Sequence, residues 1–183
     1  MGKIVNYMMA FTLTCQVIFA GSLVAPQKMQ FNGKEYVLAF EHKDSSKELY
    51  EYTTDGESVQ NWTKLITLIK LNEKHDLYKF LLHYKKVLDG QTPHYSTYLK
   101  GDNGYVKVIY EPTSKFQNFE ANIQKLHNVD SCDGTVMLQY GVRKVVSKDM
   151  SKQDNEVALK NIYNQLKLDA EVMEQYSWKP ECK

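Results

Sequence analysis

The sequence predicts an α+β fold: a mixed, mainly antiparallel sheet packed by two or three helices in a single domain. Three observations carry that expectation. Short runs rich in aromatic and β-branched residues alternate in polarity and are separated by turn residues, which marks hairpin strands. Longer stretches, 72–90 and 151–176, repeat apolar residues at intervals of three and four, which marks amphipathic helices. The 183 residues, 43% hydrophobic and 25% charged, are enough for one core and too few to expect two full-sized domains.

The first residues, MGKIVNYMMAFTLTCQVIFAGSLVAPQ, combine one early lysine, no acid and a long apolar centre, the layout of a secretory signal. Ala20 and Ser22 are small residues placed for a cut after residue 22, whereas a cut after Ala25 would set Pro26 beside the scissile bond. Residues 1–22 are thus expected to be a signal peptide, 23–33 a short polar linker and 34–183 the domain. An uncleaved anchor is the rival reading, because Ile4 to Ala25 reaches the roughly 20 residues a bilayer span needs. Asn6, Gln16 and the small residues near the end of the run weigh against it.

Within the domain, KEYVLAFEH and KELYEYT flank the turn KDSS and predict a hairpin from Lys34 to Thr54. TTDGES then supplies an Asp-Gly turn. NWTKLITLIKL is apolar on both sides of its alternation and predicts an interior strand. Leu77, Phe80, Leu81, Tyr84 and Leu88 fall on one face of a first helix, with Asn72 as its expected N-cap and Gly90 as its stop. HYSTYLKGDNGYVKVIYE predicts a second hairpin turning at GDNG. In SKFQNFEANIQKLHN, Phe116, Phe119, Ile123 and Leu126 fit one helical face, so a second helix is expected there. GTVMLQYGVRKVVS predicts a strand from Thr135 to Val146. Ser151 and Asp154, in capping-box-like spacing, open the longest helix, whose face carries Ile162, Leu166, Ala170 and Met173.

Loss of residues 1–22 would remove Cys15 and leave Cys132 and Cys182, an even pair that suggests one disulfide in an oxidising compartment. It would also remove only Lys3, leaving 23 − 1 = 22 basic residues against 22 acidic ones. A neutral chain with Lys and Asp/Glu interspersed lacks the basic excess that phosphate neutralisation needs, so no nucleic-acid partner is expected.

Standard catalytic signatures are missing: no Gly-x-Ser-x-Gly elbow, His-Glu-x-x-His, Cys-x-x-Cys or phosphate-cradling Gly-rich loop occurs. No catalytic, metal or cofactor residue is assigned on this reading. The sharpest enzymatic candidate is LHNVDSCD, where Cys132 follows His127 by five residues and a thiolate would need such a base. The five histidines, 42, 75, 83, 94 and 127, form no ligand spacing; His75 and His83 stand two helical turns apart. The 13 tyrosines suit either half-buried sheet positions or a recognition surface. Asn61-Trp62-Thr63 also matches a glycosylation acceptor, which matters only in a host that performs that modification.

The stretch EYTTDGESVQNWTKLITL, through Glu51, Tyr52, Gly56, Glu57, Asn61, Trp62, Thr63 and Thr67, resembles a segment of small secreted bacterial α+β proteins of unassigned function. The hairpin before it and the helix after it make the outline similar to the PsbP-like α/β/α sandwich. In that setting Trp62 would close one end of the core, with Glu57 and Asn61 bonding backbone groups that the turn exposes. The resemblance implies a binding or scaffolding role and carries over no catalytic residue. The expectation is an exported bacterial protein, periplasmic or secreted, that binds a protein partner as an effector, immunity factor or assembly helper and is not stably inserted in a membrane. The alternatives are a secreted hydrolase or thiol enzyme using Cys132 and His127, and a small-ligand carrier with an aromatic cleft between sheet and helix.

Overall fold

The computed structural model describes residues 21–54, 56–147 and 149–183. The expected signal peptide therefore lies outside the described residues, apart from Gly21 and Ser22. Eight strands follow one another with two helices interposed: β1 Lys28–Phe31, β2 Lys34–Lys43, β3 Lys47–Thr53, β4 Lys64–Leu71, α1 Leu77–Asp89, β5 Tyr95–Lys100, β6 Asn103–Tyr110, β7 Asn118–Val129, β8 Gly134–Val145 and α2 Lys152–Gln175. The strands form one sheet in the order β1-β2-β3-β4-β8-β7-β6-β5, with every neighbouring pair antiparallel. This is a single α+β domain, and its sheet, expected to be mixed and mainly antiparallel, is antiparallel throughout.

Two expected elements are corrected by the strand pairing. The stretch read as a second helix is β7, paired along its length with β6 and β8. Phe119 and Ile123 satisfy a helical and an alternating template equally. The arbiter is burial on both sides: Phe119, Ala121 and Ile123 enter one core while Asn122, Gln124 and Leu126 are buried on the opposite face. The stretch read as a linker holds β1, whose Met29 and Phe31 are buried. β1 joins β2 through Asn32 and Gly33 at φ 48° and 72°, a two-residue Asn-Gly hairpin that requires left-handed backbone at both positions.

α1 and α2 cover opposite faces, as alternation along β6 shows: Val106 and Val108 pack with Leu81 and Leu88 of α1, whereas Tyr105 and Ile109 belong to the core under α2. The α2 side is the larger core. Tyr36, Tyr50, Tyr52 and Tyr140 lie in it beneath Ala158, Ile162, Leu166, Ala170 and Met173, so many of the tyrosines are core residues that exploit their large apolar area. Phe31 and Tyr140 have ring centroids 4.7 Å apart. α1 packs chiefly over β5 and β6, so the same face of β2, β3 and β4 carries no helix.

The helix ends follow local chemistry. Asp76, not Asn72, caps α1, its carboxylate accepting from Lys79 N at 3.2 Å. Asn72 is engaged elsewhere: its amide donates to Ser45 O and its oxygen accepts from Lys70 Nζ. Ser151 caps α2 by accepting from Asp154 N at 3.1 Å, as the sequence suggested. Among the described residues no helix is long and apolar enough to cross a membrane.

Candidate functional site

Between β3 and β4 the chain crosses one end of the sheet, and the motif residues Gly56, Glu57, Asn61, Trp62 and Thr63 build that crossing. Gly56 takes φ 79°, and Glu57 N donates to Thr54 O at 3.1 Å. The Glu57 carboxylate accepts from both Thr63 N, at 3.0 Å, and Thr63 Oγ1. Burial pushes this carboxyl up, but the donors of Thr63 and Thr54 outweigh it and hold the group below the usual carboxylate range. Asn61 behaves differently from expectation. Its backbone pairs reciprocally with Ser58, while its side chain is exposed. A single negatively charged acceptor can lock the exit of the loop, so a second side-chain staple is not needed there.

That lock sets Trp62 across β8, with only 6% of the residue exposed. The indole lies against Gly141 so closely that a Cβ there would meet Trp62 Cη2 at 3.3 Å and Asn122 Oδ1 at 2.7 Å. Two residues along, on the same face of β8, the Arg143 guanidinium stacks on the Trp62 ring at 3.9 Å from its centroid. Arg143 is the only arginine in a chain whose Lys and Arg together number 23. Its planar, weakly hydrated fork suits such a stack in a way that a lysine ammonium does not.

From Arg143 a transverse row runs over Glu120 of β7 to Tyr110 of β6. These three side chains floor a hollow of about 390 Å³ that Phe116 walls on one side. Phe116 is 58% exposed, held out by a turn in which Thr113 N donates to Phe116 O at 2.8 Å and Phe116 N to Thr113 Oγ1 at 3.1 Å. The Arg143–Glu120 contact is loose, at 3.8 Å, and the buried Arg143 Nε has no hydrogen-bond partner among the described residues. Asn122 donates to Glu120 at 3.1 Å while its own oxygen goes unpaired. Burial pushes the Tyr110 phenol up to about 12, so at neutral pH it remains a hydrogen-bond donor. The arrangement is an aromatic–guanidinium platform beside an apolar wall. Sequence reading found Trp62 and Glu57 but missed Arg143, Tyr110 and Phe116. The singular arginine was the one available signal.

On the other face, near the chain ends, Cys132 and Cys182 come to disulfide distance, with Cα atoms 4.9 Å apart. The ends meet there: Ser22 N donates to Lys183 O at 2.8 Å and Lys183 N to Ser22 O at 3.0 Å. Glu48 anchors this junction, accepting from Ser22 Oγ, Leu23 N and Tyr50 Oη and pairing with the buried Lys70 at 3.3 Å. Burial would raise the Glu48 carboxyl, but these donors together hold it below its usual value. Cys132 is fully buried. Burial lowers the pKa of the His127 imidazole, and no hydrogen bond among the described residues joins it to Cys132.

Comparison with known proteins gives three findings. The chain is 26% identical over 163 residues to an uncharacterised protein of Haemophilus influenzae, a match covering 83% of this chain and 82% of that protein. A solved structure of a mutant of the protein Mog1 aligns over 78% of this chain and 91% of that one, at 14% identity and a TM-score of 0.39. A family of uncharacterised proteins is matched across residues 23–178, and the chain belongs to that family.

Proposed function

We propose that this is an exported, non-enzymatic bacterial protein that acts by binding another protein at the platform formed by Trp62, Arg143, Tyr110 and Phe116. The carrying observation is the Arg143 guanidinium, stacked on a buried indole and held by only a 3.8 Å contact to Glu120, beside an exposed phenylalanine. Trp, Tyr and Arg dominate interface energetics when rigidly presented next to an apolar pocket. Here the indole is fixed by the Glu57–Thr63 lock, so little ordering cost remains to be met on association. The partner should offer an apolar side chain to the hollow and a hydrogen-bond acceptor to the guanidinium. Export is supported by the apolar N-terminal stretch and by a cysteine pair at disulfide distance, which persists in oxidising compartments. A bond between Cys132 and Cys182 would leave the thiol-enzyme reading without a free nucleophile at position 132.

The test is affinity capture from the envelope fraction with the wild-type chain and with Phe116→Ser and Arg143→Glu. A protein retained by the wild type and lost by both variants, with all three equally stable, is the expected result. Identical capture by all three would overturn the assignment of the surface.

A further inference from the structure

Opposite the platform, a cleft of about 500 Å³ lies between the middle of α2 and strands β5 and β6. Its floor is apolar, formed by Ile109 and Leu166, which are buried. The Tyr163 ring, 63% exposed, stands at its mouth. Lys107 projects from β6 and Lys167 from α2, and no aspartate or glutamate lines the cleft. Glu111, in contact with its wall, is engaged with His94 at 2.8 Å. Neither Lys107 nor Lys167 takes part in an ion pair among the described residues; Lys107 rests over the Tyr98 ring, 5.2 Å from its centroid. A chain of net charge +1 thus places two lysines that form no ion pair at one apolar hollow, whose volume falls within the range of small-molecule pockets, although Lys107 also feels the Glu174 carboxylate.

We infer that this cleft is a binding site for a small amphipathic anion, a carboxylate or sulfonate on a planar apolar body. The body would lie on Ile109 and Leu166 under the Tyr163 ring. The charged end would meet the ammonium groups of Lys107 and Lys167, with the Ser96 hydroxyl within the same lining. An anion gains attraction from the ammonium groups while the apolar floor supplies area. A neutral molecule of the same shape gains only the second contribution, so charge is the discriminating feature. This site is independent of the Trp62–Arg143 platform, which lies on the other face of the sheet.

The experiment is an amide NMR titration of the oxidised protein with 1-anilinonaphthalene-8-sulfonate and, in parallel, its neutral relative N-phenyl-1-naphthylamine. Saturable shifts confined to residues around Ser96, Lys107, Tyr163 and Lys167 are expected from the sulfonate. The affinity should be at least tenfold weaker for the neutral compound and for Lys167→Glu, and should weaken with added salt. Lys167 is exposed on α2, so its replacement leaves the fold intact; Lys107→Gln serves as the second variant. Equal binding of the neutral compound, unchanged affinity in both variants, or shifts centred elsewhere would each overturn the inference.

Discussion

Replacing Gly141 by alanine probes the platform at its tightest point. The β8 backbone passes directly beneath Trp62, and an added methyl would stand 2.7 Å from Asn122 Oδ1 and 3.3 Å from Trp62 Cη2. Gly141 is not among the glycines at positive φ, so alanine meets no backbone penalty and gains about 0.4–1 kcal/mol by restricting the unfolded chain. Against that stands overpacking, which costs about 1–3 kcal/mol where neighbours cannot retreat. Retreat is limited here, because the Asn122 amide is tied to Glu120 and the indole is wedged between β8 and the Arg143 guanidinium. The expected net loss is about 1–2 kcal/mol, or roughly 2–8 °C in Tm for a domain of this size. Urea and thermal unfolding followed by tryptophan fluorescence and circular dichroism measure it. In a Trp62→Leu background the loss should shrink by at least about 0.5 kcal/mol, since contacting residues do not add. Gly141→Ala as stable as the wild type, with no coupling to position 62, would refute the packing and with it the rigid presentation of Arg143.

Other consequences can be tested on the same material. Replacing both Cys132 and Cys182 by serine opens a link of sequence separation 50 and should cost about 4 kcal/mol in the loop-entropy account, read from chemical denaturation; a change within error would mean that the bridge does not form. Lys70→Ala removes one of the two cations at the buried Glu48 carboxylate, Lys43 remaining at 3.6 Å, and should cost about 1–3 kcal/mol, visible in the same assay. Because Glu48 is depressed in the folded state, its contribution is fully present above the unfolded value of about 4.3 and is lost as pH falls through the folded value; a stability–pH profile of Glu48→Gln should therefore be flatter below about pH 4 than that of the wild type. Asp169 has the opposite sign. Burial raises its carboxyl above the usual range despite donors from Gln165 and Asn32, so ionisation costs the folded state stability as pH rises past about 3.9. Asp169→Asn should raise Tm at pH 7 and leave it nearly unchanged at pH 3; a lower Tm at pH 7 would contradict the sign.

The legibility of the fold varied with how local its cause was. α2 was readable to its first residue, because Ser151 and Asp154 create their own cap and the apolar stripe has no rival period. The two hairpins around KDSS and GDNG were equally local. β7 was not, because its residues satisfy two periods and the choice is made by strands contributed from far along the chain. The β1 hairpin announced itself in Asn32-Gly33 and was masked by the polar stretch around it. For the platform, Glu57 and Trp62 belong to one continuous motif, whereas Arg143, Tyr110 and Phe116 are assembled by sheet register from three further segments. Only register brings a lone arginine over an indole 81 positions earlier (143 − 62). The cleft beside α2 has no sequence signature at all, since its lining is assembled from β5, β6 and α2.

Site-specific photo-crosslinking in living cells tests the central claim most directly. A photoreactive residue at position 116, on the platform, is compared with one at Leu168, equally exposed on α2, and with position 116 in an Arg143→Glu background. The expected result is a discrete heavier adduct from position 116, abolished by the Arg143 change and absent at position 168. No adduct at 116, or the same adducts at both positions, would contradict a protein-binding role for this surface.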